Sequence, residues 1–78
     1  MFKVFYYMNG SSHQYTFIFK SLWAATFKAR AIFEEHGFAT DVMDAETGEV
    51  LAIFDGDTCW TAESVSSDVC YLATQPLE

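Results

Sequence analysis

Between Lys3 and Phe54 the apolar residues change their spacing twice, and that switch restricts this chain to very few folds. Lys3-Val4-Phe5-Tyr6-Tyr7-Met8 is aromatic and β-branched, Asn9-Gly10-Ser11-Ser12 is a turn, and Gln14 to Lys20 returns as a second strand. In that strand Tyr15, Phe17 and Phe19 share one face, and Gln14, Thr16, Ile18 and Lys20 share the other. From Leu22 the period becomes helical. Leu22, Ala25, Thr26, Ala29, Ile32, Phe33 and His36 fall in one stripe, Ser21 is placed to cap the N-terminus, and Gly37 stops the run. Alternation then resumes from Phe38. Ala45-Glu46-Thr47-Gly48-Glu49 breaks it, and Val50-Leu51-Ala52-Ile53-Phe54 carries it on; Gly48 supplies the positive φ that a short hairpin loop needs.

The pattern predicts an α+β fold of β-β-α-β-β order. Strands are expected over residues 2–9, 13–20, 38–45 and 49–55, with a helix over 21–36 lying on one face of an antiparallel sheet. After Asp57 the signal weakens: Ser64 to Ser67 is loop-like, and Val69-Cys70-Tyr71-Leu72 reads equally as a short fifth strand or a turn of helix. The order in which the strands pair cannot be read. With no linker or repeat, residues 1–76 form a single domain; Leu77-Glu78 looks like the remnant of an expression tag.

At 78 residues a chain hides only about 60–65% of its unfolded surface, yet this one is 51% hydrophobic and 18% aromatic. That much aromatic area exceeds what so small a core can hold, so some must meet a partner or a second copy. Trp23 and Phe27 fall outside the helical stripe beside Arg30 and Glu34, the composition of an interface hot spot; the competing reading is that a twisted sheet or the tail wraps over them. If Val4 and Tyr6 face the helix, then Phe5, Tyr7 and Ile18 lie on the sheet's other side. The tail, through Trp60 and Tyr71, or a second copy would cover that side. Interface candidates are therefore Trp23, Phe27, Arg30, Phe5 and Tyr7.

Charge is segregated. All four basic residues (Lys3, Lys20, Lys28, Arg30) precede all eleven acids, giving +4 up to Arg30 and −11 beyond it, the two together being the net −7. Such polarity lets one copy's basic strands approach another's acidic hairpin. Asp41, Asp44, Glu46 and Glu49 read most simply as a solvated face; more sharply, they form an acidic surface that mimics nucleic-acid phosphates and blocks a nucleic-acid-binding enzyme. In size, acidity and element order the chain is similar in general look to many small accessory proteins of phages and mobile elements, though no motif residue carries that likeness.

Direct nucleic-acid binding is not expected at this net charge, since counterion release needs several phosphate contacts. Asp55-Gly56-Asp57 lacks the rest of a calcium loop, and Cys59 and Cys70 lack zinc-ligand spacing and read as free thiols. His13 sits by a turn, and His36 stands at the helix C-terminus, where its expected role is to cap. No phosphate loop, nucleophile elbow or zinc-protease motif is present. The expectation is a cytoplasmic, non-enzymatic interaction domain with no cofactor, no metal and no membrane contact, whose partner is itself as a homodimer or another protein.

Overall fold

The computed structural model describes residues 1–7, 14–56 and 58–74. The expected turn at Asn9–Ser12, His13, Asp57 and the terminal Leu77-Glu78 lie outside the described residues. Seven elements follow in order: β1 (Phe2–Tyr7), β2 (Gln14–Phe19), α1 (Leu22–His36), β3 (Thr40–Asp44), β4 (Val50–Asp55), β5 (Thr58–Thr61) and α2 (Ser67–Thr74). The strands form one antiparallel sheet in the order β2-β1-β3-β4-β5, so the fold is α+β as the periodicity predicts.

Local chemistry explains the boundaries of α1. Ser21 holds extended dihedrals and its Oγ accepts the Ala24 N–H at 3.3 Å, a cap worth about 1 kcal/mol. At the other end Gly37 takes φ 73°, and its N–H donates to the Phe33 carbonyl at 2.8 Å. That glycine, not His36, closes the helix. The His36 imidazole lies against the Phe38 ring instead, centroids 5.4 Å apart. In the β3–β4 hairpin Gly48 takes φ 78°, and Asp44 Oδ1 accepts the N–H groups of Glu46 and Thr47 at 2.8 and 3.3 Å.

Both helices lie on one side of the sheet. Val4, Val42, Ala52 and Phe54 point from three strands toward Ala25, Ala29, Ile32 and Ala73. Ala25 and Ala29 are fully buried, which brings the α1 backbone close to the strands. Thr40 uses that closeness: its buried Oγ1 donates to the Ala29 carbonyl at 3.0 Å and ties β3 to α1.

A bulge in β4 extends the core. The register steps from Val42↔Ala52 to Met43↔Val50, leaving Leu51 as the extra residue, so consecutive Leu51 and Ala52 are both buried. Leu51 packs with Val65 and Val69 in a second cluster.

The C-terminal third resolves the ambiguous stretch into two elements. Thr58–Thr61 is the fifth strand, and Val69–Leu72 belongs to a helix. Since α2 packs beside α1, residues 67–74 add to the helical layer, and Tyr71 with them. The expectation that Trp60 and Tyr71 fold over the back of the sheet is corrected: Trp60 pairs with Ile53 and extends that back face instead.

Arg30 is also corrected. The wheel places it as an exposed neighbour of Trp23 and Phe27, but it is 7% exposed. Its Nε meets Glu34 Oε1 at 3.0 Å and its Nη1 donates to the Leu72 carbonyl, because α2 lies over that flank of α1.

Candidate interaction surface

Antiparallel register fixes which side chains share the face away from the helices. Val4, Val42, Ala52 and Phe54 point to the core, so apart from the bulged Leu51 their neighbours along each strand point out. Two cross-strand rows result. The first runs Ile18, Lys3, Met43, Val50; the second runs Thr16, Phe5, Asp41, Ile53, Trp60. Six of these nine are apolar and they are contiguous across all five strands. Ile18 and Trp60 at the two edges are 53% and 44% exposed, while Phe5, Met43, Val50 and Ile53 are half-buried by their own neighbours. Of the named candidates, Phe5 is here; Tyr7 closes β1 opposite Gln14, and only its backbone is described.

Two charges interrupt the apolar face. The Lys3 ammonium lies 5.5 Å from the centroid of the Phe5 ring, a cation–π contact. Asp41 sits between Phe5 and Ile53, and burial there, helped by the negative Asp55, pushes its carboxyl above the usual 3.8. Among the described residues the ion pairs within 4 Å are Arg30–Glu34 and His36–Glu35, so neither Lys3 nor Asp41 has a countercharge that close.

The other acidic candidates do not join Asp41. Asp44 faces the opposite side of β3, with its carboxylate engaged by the turn amides, and Glu46 and Glu49 project into solvent at the hairpin tip. The four are divided between two faces and a loop.

A second apolar feature lies on α1. Trp23 and Phe27 are 46% and 54% exposed and stack with centroids 5.4 Å apart. Phe27 also lines a shallow pocket with Arg30, Ala31 and Leu72 in the cleft between the helices. Their mutual stacking shields part of each ring, and the patch is narrower than the sheet face.

The edge strand β2 is exposed along most of its length, and Lys28 covers one of its rings, with its ammonium 5.2 Å from the Phe17 centroid. On the helix side of this edge Tyr15, Tyr6, Phe38 and His36 form a continuous stack, with successive centroids 5.4, 5.8 and 5.4 Å apart. These rings absorb part of the aromatic surplus.

Neither cysteine is bonded to the other. Cys59 is exposed, and the half-buried Cys70 Sγ lies 3.4 Å from Thr61 Oγ1 and 3.7 Å from the Val65 carbonyl. No described helix is long and apolar enough to cross a membrane.

Met43, Val50, Ile53 and Trp60 complete a face for which the sequence singled out only Phe5, Tyr7 and Ile18. For Val50 and Ile53 the signal was the unbroken apolar run Val50–Phe54, which marks a strand apolar on both sides; Met43 and Trp60 join the face only through the strand pairing. No family model, curated protein or solved structure matches the chain.

Proposed function

We propose that this chain is a non-enzymatic protein-interaction domain whose working surface is the open face of its sheet. The observation that carries the reading is the contiguous set Phe5, Ile18, Met43, Val50, Ile53 and Trp60, which no described element covers because both helices pack on the opposite side. A sheet in a two-layer domain ordinarily turns a polar face to water. Here the outward positions are mostly apolar. With strands about 4.8 Å apart and about 3.4 Å per residue, the two rows and their flanks cover roughly 400 Å² in projection, at the scale of the largest patches on monomeric proteins. Two such faces brought together remove on the order of 1,000 Å², the lower range of specific interfaces.

The stacked Trp23–Phe27 pair is a subsidiary contact in this reading. Photocrosslinking distinguishes the two surfaces: a photoreactive phenylalanine replaces Ile18 in one variant and Phe27 in another, each in the protein's native host. Adducts from position 18 that vanish with Trp60→Ser support the sheet face. Adducts confined to position 27, or none at position 18, overturn it.

A further inference from the structure

Resting on that reading, we infer that the occupant of the open face is a second copy of this chain, packed face to face by a two-fold axis lying between the sheets and across the strands, with Lys3 of each copy beside Asp41 of the other. A two-fold interface uses the same patch on both partners, so the patch must carry both halves of every contact. This face does. Lys3 lies in the first row on β1, and Asp41 lies in the second row on the adjacent strand β3.

Rotation about an axis midway between the rows exchanges them. Lys3 of one copy then comes over Phe5 of the second copy, one strand away from the second copy's Asp41, a lateral offset of about 4.8 Å. Sheets packed in this way sit about 10 Å apart, within reach of a lysine side chain. Under the same rotation Val50, Ile18 and Trp60 find apolar or neutral neighbours, while Phe5 and Met43 lie over the stems of Lys3 and Asp41. Val50 meets Ile53, Ile18 meets Thr16, Met43 lies against Asp41's stem, and Trp60 falls beside Val50.

The monomer prepares both charges for this. Among the described residues Lys3 has no carboxylate within 4 Å, and it rests on Phe5, already directed toward the second row. Asp41 is half-buried between apolar side chains, where burial and Asp55 raise its pKa. Covering the face with an apolar partner would leave that carboxylate without water and, in the arrangement of the monomer, with no cation within 4 Å among the described residues. A partner that supplies an ammonium beside it removes the difficulty, and a second copy supplies one on either side of the axis.

The test is a charge swap read by sedimentation. Lys3→Glu places two acids at each contact and Asp41→Lys places two ammonium groups there. Each single variant is expected to weaken dimerisation at least about tenfold. The double variant K3E/D41K restores it, and an equimolar mixture of the two single variants forms a one-to-one heterodimer. Asp41→Asn, which leaves size unchanged, keeps the test open should Asp41→Lys fail to fold: it weakens the dimer while stabilising the monomer.

A wild-type chain that stays monomeric up to about 0.1 mM, where complexes of micromolar affinity are populated, overturns the inference. So does a dimer indifferent to both single variants, or a mixture that stays monomeric. A monomeric chain whose position-18 crosslinks hold a foreign protein sinks the second copy alone and leaves the interaction face standing. Absence of any adduct at position 18 sinks both.

Discussion

Replacing Arg30 by methionine isolates what holds α2 to the rest of the domain. The guanidinium is 7% exposed and bridges two elements, with Nε on Glu34 of its own helix and Nη1 on the Leu72 carbonyl of α2. Leu72 lies in the last turn of an eight-residue helix that ends at Thr74, so its carbonyl has no partner four residues on within the helix. A cation there also meets the negative end of the helix dipole. Methionine keeps most of the stem's packing, so the loss is mainly the charged hydrogen bond, about 1.5–3 kcal/mol. The partly exposed Glu34 pair adds no more than about 0.5 kcal/mol. Relief from burying the guanidinium offsets some of this, which leaves a net loss near 2 kcal/mol. A domain of 78 residues has roughly 4–12 kcal/mol in total. The melting temperature should therefore fall by about 8–16 °C. Hydrogen exchange on the folded protein gives the sharper reading, because amides of α2 should lose protection while those of β1 and β3 keep theirs. A loss below about 0.5 kcal/mol, or deprotection shared equally by the sheet, would show that Arg30 does not fasten α2.

Two further outcomes follow from buried polar groups. Asp41 has a folded-state pKa above its ordinary 3.8, so its contribution to stability is greatest below that value and is lost as pH rises through the raised one. Asp41→Asn should accordingly make the monomer more stable than wild type near neutral pH and flatten the acid side of its urea-denaturation profile; a variant less stable at neutral pH contradicts the burial argument. Thr40→Val keeps the shape but deletes the Oγ1 bond to the Ala29 carbonyl, at an expected cost of about 1 kcal/mol, with Thr40→Ser retaining the bond and losing only its methyl packing. Equal stability of Thr40→Val and wild type would mean that the hydroxyl does not pin α1 to β3.

How far the fold is legible in the chain depends on the range of the interaction concerned. The ends of α1 are written locally, in Ser21 and Gly37, and the β3–β4 turn in Asp44 and Gly48, so the predicted boundaries lie within two residues of those observed. Thr58–Thr61 gave no clear signal because four residues of mixed polarity at an edge need little apolar periodicity. Arg30 was misplaced because its partner lies 42 positions away, on a helix whose docking no wheel reveals. The candidate surface suffered in the same way. Alternation placed Phe5 and Ile18 together, but only the pairing of β1 with β3 rather than β4 brings Asp41 between Phe5 and Ile53. That juxtaposition, a carboxylate inside an apolar face, depends on strand order, which no single strand encodes.

The open sheet face is tested most directly by recording amide and side-chain chemical shifts through a dilution series, with a soluble paramagnetic probe reporting which groups water can reach. Association through this face predicts that Phe5, Ile18, Met43, Ile53 and Trp60 shift and become shielded from the probe as concentration rises, while Trp23, Phe27 and Tyr71 remain accessible. Shifts confined to Trp23 and Phe27, or to the outer edge of β2, with the sheet face still open to the probe, would contradict it.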